Sequence, residues 1–277
     1  MINYVNINDL NTDGLEAFTK LNENELKHYF EPESEGIFIA ETPMVVIRAL
    51  ESGYEPLSLF IEKKYISTSA SGIIDRCNKI SETTGRDIDV YTAPVNVMSK
   101  ITGYNLTRGV LGAFRRKPLR EASEIMRYSR RIAVLENVEN PTNIGAIFRS
   151  AAALNADAIM LTPGCADPLQ RRAIRAGVGT VFQIDWTCLP DIDYVAMLKN
   201  DGFITVGMAL RSDTTDINDI RLKTAGKIAV FLGNEGNGLK NGTICACDHT
   251  VKIPMSHGVD SLNVAAASAI AFYELFN

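Results

Sequence analysis

The stretch FLGNEGNGL, Phe231–Leu239, places three glycines within six residues directly after an apolar run. The run AVFL predicts a buried β-strand, and Gly233, Gly236 and Gly238 predict a loop at its carboxyl end. Open α/β sheets bind ligands at the carboxyl ends of their strands, and glycines there let the backbone come close to a ligand. A tight strand-to-helix turn needs only one glycine, so three glycines around Glu235 favour a ligand-binding loop.

Two further segments of the second half mix polar side chains with apolar runs. NPTNIGAIFRSAAAL, Asn140–Leu154, predicts a helix carrying Arg149, for which snorkelling from a buried helix or phosphate contact are alternatives to catalysis. IPMSHGVDSLNVAAA, Ile253–Ala267, predicts an irregular segment before the last helix, because it contains both proline and glycine. Ser261 lies where it can cap that helix, and Asn263 lies in its first turn, so capping is an alternative to a ligand-binding role for Ser261.

Strands alternate with helices along most of the chain, which predicts an α/β protein. Its 277 residues are enough for two domains. We expect a smaller α/β domain over residues 1–118, in which residues 1–35 form a helical N-terminal segment. A linker is expected over residues 119–130, and the second α/β domain over residues 131–277.

The net charge of −5 argues against a nucleic-acid partner, but the charge is unevenly distributed. Residues 108–131 include eight basic and two acidic side chains, so this segment carries +6 and the rest of the chain −11. A solvated helix face is the alternative, although such faces usually alternate in sign. The segment therefore predicts RNA contacts by four residues: Arg108, Arg115, Arg116 and Lys117.

Several classes of protein are disfavoured by composition. No apolar run approaches the roughly 18 residues that span a bilayer, and no secretory signal is evident, so we expect a cytoplasmic protein. The five cysteines are scattered without a CxxC pair, which predicts neither a disulfide framework nor a metal site.

Together and in this order, the three segments resemble the signature motifs of the SpoU (TrmH-type) RNA 2′-O-ribose methyltransferases of the SPOUT superfamily. The resemblance implies a C-terminal domain with a deep trefoil knot, preceded by a ribosomal-protein-like RNA-binding domain. It also implies S-adenosylmethionine as methyl donor, a homodimer formed through the C-terminal domain, and an RNA substrate, with rRNA favoured over tRNA. Two alternatives are a non-catalytic RNA- or ribosome-binding protein that keeps the fold, and a Rossmann-type enzyme, which lacks its early GxGxxG fingerprint here.

The resemblance assigns roles to residues of the three segments. It makes Arg149 the catalytic arginine, oriented by Asn143, and adds Glu235, Ser261 and Asn263 to the catalytic set. The cofactor-binding residues that it implies are Leu232, Gly233, Asn234, Gly236, Ile253, Pro254, Met255, Ser261, Leu262 and Asn263.

The proton acceptor is the open point of this assignment. Because a guanidinium stays protonated up to a pKa above about 12, we expect Arg149 to stabilise the developing oxyanion and to grip a phosphate rather than to remove a proton. Glu235 and His257 are the two candidates to accept the proton, and His257 is the weaker one because the family does not fix that position.

Overall fold

A computed structural model describes residues 1–10, 12–30, 35–102, 109–191, 193–211, 213–258 and 260–277. Contacts divide the chain into two compact units. Unit 1 comprises Met1–Pro118 and Leu169–Phe182, and unit 2 comprises Leu119–Pro168 and Gln183–Asn277.

The elements of the first 118 residues are β1 (Ile2–Asn6), α1 (Glu16–Thr19), α2 (Glu23–Lys27), β2 (Ile37–Glu41), α3 (Pro43–Glu51), β3 (Pro56–Glu62), α4 (Ser71–Thr84), β4 (Ile88–Ala93), α5 (Val95–Thr102) and β5 (Val110–Arg115). The following elements are α6 (Ala122–Tyr128), β6 (Arg131–Leu135), α7 (Pro141–Ala153), β7 (Ala158–Leu161), α8 (Arg171–Ala176), β8 (Asp185–Cys188), α9 (Tyr194–Asn200), β9 (Ile204–Met208), α10 (Ile220–Lys223), β10 (Ile228–Leu232), α11 (Asn241–Ala246), β11 (His249–Val251) and α12 (Val264–Phe276).

Unit 1 is built on a mixed sheet in the order β1-β4-β3-β5-β2. The strands β1, β4 and β3 run parallel, whereas β5 is antiparallel to both of its neighbours. Helix α8 groups with this unit because the guanidinium of Arg171 contacts the buried carboxylate of Glu41 at 2.8 Å. Residues 169–182 therefore pack with unit 1 rather than within the domain predicted over residues 131–277.

Unit 2 is built on a parallel sheet in the order β11-β9-β10-β6-β7-β8. Its central strands β6 and β10 are buried almost throughout, as expected for a parallel sheet covered by helices on both faces. The α/β class predicted from the alternation of strands and helices is confirmed. Across the described ranges, no helix has both the length and the hydropathy needed to cross a bilayer.

Two local predictions were wrong. The segment expected to be helical over residues 1–35 begins with strand β1, which pairs in parallel with β4, and only then forms α1 and α2. The expected linker over residues 119–130 contains α6, whose Ala122, Ile125 and Met126 are buried in the core of unit 2. Their i, i+3, i+4 spacing is that of a helix with one apolar face.

Candidate cofactor site

A cavity of about 410 Å³ opens in unit 2 where three neighbouring strands end. Its walls are the segments that follow β9, β10 and β11, together with the beginning of α12. Because these strands are parallel, their carboxyl ends lie at one edge of the sheet, which is where α/β sheets bind ligands. The lining residues are Met208–Arg211, Leu232–Leu239, Asn241, Ile244, Val251–Ile253, Met255, Ser261, Leu262, Val264 and Ala267.

The glycine-rich loop folds back on itself at the cavity wall. Asn234 and Gly238 exchange two backbone hydrogen bonds, of 3.1 and 2.9 Å, and Gly238 has a φ of +67°. A Cβ atom on Gly233 would lie 2.2 Å from backbone atoms of Gly238 and Leu239, so this close approach requires glycine. The fold of the loop leaves Glu235 exposed near its tip, at the cavity.

All three sequence segments meet in one chain of polar side chains. The amide of Asn143 donates from Nδ2 to Oε1 of Glu235 at 2.8 Å and accepts at Oδ1 from Nδ2 of Asn263 at 3.1 Å. Asn143 is only 8% exposed, so its amide is fixed in this orientation. Asn263 also caps α12 by accepting from the backbone N–H of Ala265 at 2.9 Å.

Arg149 lies outside this cluster. It is six residues from Asn143 on α7, which places it about 240° around the helix axis from Asn143. Its side chain is exposed, does not line the cavity, and makes no ion pair or hydrogen bond with another residue of the described ranges. The predicted orientation of Arg149 by Asn143 is therefore not seen, because Asn143 bonds to Glu235 and Asn263 instead.

The model of the SpoU rRNA Methylase family matches residues 130–273. The chain belongs to the SpoU rRNA methylase family. The family resemblance read from the three segments is thus confirmed, and the chain is an RNA methyltransferase.

Similarity to individual proteins supports the assignment to this family. The chain is 36% identical over 245 residues to an uncharacterized tRNA/rRNA methyltransferase of Mycobacterium bovis, covering 88% of this chain and 82% of that protein. It is 30% identical to the 23S rRNA (guanosine-2'-O-)-methyltransferase RlmB of Acinetobacter baylyi, over 68% of this chain and 77% of that protein. The AdoMet-bound rRNA methyltransferase of Sinorhizobium meliloti has the same fold, with a TM-score of 0.78 at 24% identity, over 99% of this chain and 97% of that one. S-Adenosylmethionine, predicted as the cofactor of SpoU proteins, is confirmed as such by that bound structure.

Most of the SpoU cofactor residues implied by the resemblance line the cavity, namely Leu232, Gly233, Asn234, Gly236, Ile253, Met255, Ser261 and Leu262. Pro254 and Asn263 do not line it. Asn263 caps α12, so the capping role considered for Ser261 belongs to Asn263 instead. His257 is exposed at a φ of +57° and does not line the cavity either.

Three of the four basic residues that were expected to contact RNA lie in the described ranges, and all three are bonded within unit 1. Arg116 is buried and donates from Nε to the carbonyl of Ile37 at 3.1 Å, so its guanidinium stabilises the fold. Lys117 donates to the carbonyl of Ser52 at 2.6 Å. Arg108 lies outside the described residues.

Arg115 is likewise engaged in unit 1. Its guanidinium lies 4.1 Å from the ring centre of Phe30, and its Nε lies 3.3 Å from Oε2 of Glu55. A cation stacked on an aromatic ring and paired with a carboxylate contributes to packing as well as to charge. Of the predicted basic contacts, Lys117 is the exposed one in the described structure.

Sequence reasoning missed two charged residues of the SpoU site. Arg211 follows β9, lines the cavity, and donates from Nε to Oδ1 of Asp213 at 2.8 Å, and this hydrogen bond lowers the pKa of the Asp213 carboxyl. Glu136 follows β6 and is only 1% exposed. The pKa of Tyr194 is raised to about 12, mainly by burial and secondly by its hydrogen bond to Glu136. For Glu136, the only signal in the sequence was the position of an acidic residue directly after an apolar strand.

Proposed function

We propose that this chain transfers a methyl group from S-adenosylmethionine to the 2′-hydroxyl of a ribose in structured RNA, with rRNA favoured over tRNA. The observation that carries the proposal is the cluster of Glu235, Asn143 and Asn263 at a cavity formed by strand ends. A non-catalytic RNA-binding protein would not need a buried amide to hold a carboxylate at such a cavity.

The cavity fits S-adenosylmethionine in size and chemistry. Its volume of about 410 Å³ lies within the range of roughly 300–1,000 Å³ usual for small-molecule sites. Leu232, Leu239 and Leu262 offer apolar contacts for a purine ring. Glu235 and Arg211 offer opposite charges for a ligand that carries an ammonium, a sulfonium and a carboxylate.

The chemistry required of the protein is activation of a ribose hydroxyl. When bound, the sulfonium supplies an electrophilic methyl group. Glu235 is the proposed proton acceptor, because it lies at the cavity and Asn143 holds its carboxylate, whereas His257 is exposed away from the cavity lining. The guanidinium of Arg149 stabilises the developing oxyanion and binds the adjacent phosphate.

The RNA preference rests on the relatives. RlmB of Acinetobacter baylyi is named for 2′-O-methylation of guanosine in 23S rRNA, and its match extends beyond the catalytic segment to two thirds of this chain. We propose that unit 1 is the ribosomal-protein-like RNA-binding domain, that unit 2 contains the trefoil knot of the family, and that the enzyme acts in the cytoplasm on cellular RNA. The similarity in fold to the Sinorhizobium meliloti protein over 99% of this chain supports the same domain plan.

We also propose a homodimer formed through unit 2. Helix α12 exposes Ile270 and Tyr273 on one face, with 37% and 64% of their surface accessible. Helix α7, which carries the exposed Arg149, packs against α12. A dimer that buries this face would cover apolar surface and surround Arg149 with protein.

Calorimetry with S-adenosylmethionine, followed by mapping of 2′-O-methyl groups in RNA from cells with and without this protein, tests the function. We expect cofactor binding and the loss of one rRNA methyl group in cells that lack the protein. Cofactor binding without any lost methyl group would favour the non-catalytic alternative. Absence of binding at millimolar cofactor would overturn the proposal.

A further inference from the structure

Glu136 is a buried carboxylate that no step of the proposed reaction uses. It follows β6, and its own N–H donates to the carbonyl of Leu232, the last residue of β10, at 2.8 Å. Its Oε1 accepts from the backbone N–H of Lys240 at 2.6 Å. Its Oε2 accepts from the hydroxyls of Thr243 and Tyr194. A charge buried this deeply is tolerated only when it is hydrogen-bonded, and here three donors surround it.

The next residue holds the other end of the same loop. Asn137 has a φ of +54°, and its carbonyl accepts from Nδ2 of Asn234 at 2.8 Å. Asn234 begins the glycine-rich turn, and Lys240 follows it. The two residues that follow β6 therefore bind the loop of residues 233–240 near its start, at Asn234, and at its end, at Lys240.

This loop is costly to order without such contacts. Gly233, Gly236 and Gly238 give it more backbone freedom in disordered states than other residues would. If only a fraction of the molecules held the loop in its binding conformation, the apparent dissociation constant would rise by the inverse of that fraction. The hydrogen bond between Glu136 and the Lys240 amide joins the loop to the end of a buried strand, and a contact of this kind favours the ordered conformation.

We propose that Glu136 is a positioning residue for the cofactor: through the Lys240 amide it holds residues 233–240 in the conformation that binds S-adenosylmethionine, although it does not line the cavity itself. The inference rests on the proposed function, because that function supplies the ligand. The inference goes beyond that function because it makes the affinity for the cofactor depend on a residue outside the cluster of Asn143, Glu235 and Asn263.

The test compares two carboxylates of unit 2. Glu136→Gln keeps the shape of the side chain but removes the charge that the two hydroxyls and the amide bond to. Asp248→Asn is the matched control, because Asp248 accepts from the backbone N–H and the hydroxyl of Thr205, at 2.9 and 2.8 Å, and does not line the cavity. Dissociation constants for S-adenosylmethionine are measured by calorimetry well below the melting temperature of each variant, and amide hydrogen exchange is followed over residues 233–243.

We expect Glu136→Gln to raise the dissociation constant about tenfold, the loss of one charge-assisted hydrogen bond, and to speed exchange in residues 233–243. Asp248→Asn is expected to lower the melting temperature while its dissociation constant stays within about twofold of the parent. An unchanged dissociation constant and unchanged exchange in Glu136→Gln would overturn the proposal, even if its melting temperature fell.

Two provisions keep the result decisive. If Glu136→Gln does not fold, Thr243→Val removes one hydroxyl donor and should raise the dissociation constant about threefold, and an unchanged value would overturn the proposal. If the parent protein binds no S-adenosylmethionine, the proposed function fails, and the exchange measurement still shows whether Glu136 orders the loop.

Discussion

At the scale of single residues, Asn143 and Arg149 share one helix but have opposite surroundings. Asn143 is buried and both ends of its amide are bonded, whereas the side chain of Arg149 is exposed and bonded to no other described residue. Because this arginine is exposed, the free protein pays no free-energy cost for removing its charge from water. It is available to a phosphate or to a developing oxyanion when RNA binds.

Replacement of Arg149 is therefore expected to affect turnover and not cofactor binding. Arg149→Ala should lower kcat by about 10²–10³, the usual cost of losing one group that stabilises an oxyanion. Arg149→Lys should retain only part of the parental kcat, because lysine lacks the planar fork of donors of a guanidinium. Methyl transfer to RNA at saturating cofactor measures kcat, and calorimetry measures cofactor affinity. A variant that retains parental turnover would show that the role assigned to Arg149 is wrong.

At the scale of elements, the glycine-rich loop offers a matched pair of substitutions. Gly233→Ala places a Cβ 2.2 Å from the backbone of Gly238 and Leu239, so we expect a loss of about 1–3 kcal/mol in the free energy of unfolding. A Cβ added to Gly242, on α11, would meet no atom within 4 Å, and Gly242→Ala should stabilise the helix by about 0.5–1 kcal/mol.

Denaturant unfolding followed by the fluorescence of Trp186, the single tryptophan, measures both changes in unit 2. Cofactor binding should be lost in Gly233→Ala and kept in Gly242→Ala. Equal cofactor affinity in the two variants would contradict the close approach of the loop to itself.

The two helix caps separate stability from activity. Asn140 caps α7 through the N–H of Thr142 at 2.9 Å, and Asn263 caps α12 through the N–H of Ala265 at the same distance. Each change to alanine should cost about 1 kcal/mol of stability. Only Asn263→Ala also breaks the hydrogen bond to Asn143, so it alone should lower kcat/KM, by about tenfold. Steady-state kinetics on both variants would reveal a similar loss if capping were all that Asn263 does.

The elements of the site were the part best predicted from the sequence. The strand before Gly233, the helix bearing Arg149 and the ligand loops follow from local patterns of apolar residues and glycine, and the cavity lies where they predict. Strand β1 was missed because its residues INYVN are largely exposed, and its pairing with β4 joins residues 86 positions apart. Glu136 was missed for the same reason, since its partner Lys240 lies 104 residues away.

At the scale of the whole molecule, the distribution of charge differs from its first interpretation. Two basic side chains of the segment that predicted RNA contacts stabilise unit 1 instead, because Arg116 is buried and Arg115 pairs with Glu55. Lys117 remains exposed, although its ammonium also bonds to a backbone carbonyl. The exposed Arg149 on unit 2 therefore becomes the more important candidate for phosphate contact.

The position of Arg149 outside its own cavity predicts that a second subunit completes each site. Mixing Arg149→Ala with Glu235→Gln, each inactive alone, pairs an intact Glu235 with an intact Arg149 from the other chain. Random exchange makes half of the dimers mixed, each with one complete site of two, so about one quarter of parental activity should return. Methyl transfer before and after exchange measures it.

The reciprocal mixture is the control. Parental chains exchanged with the double variant Arg149→Ala/Glu235→Gln form mixed dimers in which neither cavity is complete, if Arg149 serves the partner's cavity. If Arg149 instead serves the cavity of its own chain, the parental protomer of each mixed dimer stays active and the two single variants never complement. The two arrangements thus give opposite results once the subunits have exchanged. Failed exchange would give the same activities as a site within one chain, so native mass spectrometry of both mixtures first establishes that mixed dimers have formed. Since Arg149 lies outside the cavity of its own chain, on a helix that packs against α12, we expect complementation by the single variants and a fall of the reciprocal mixture to about half of its activity before exchange.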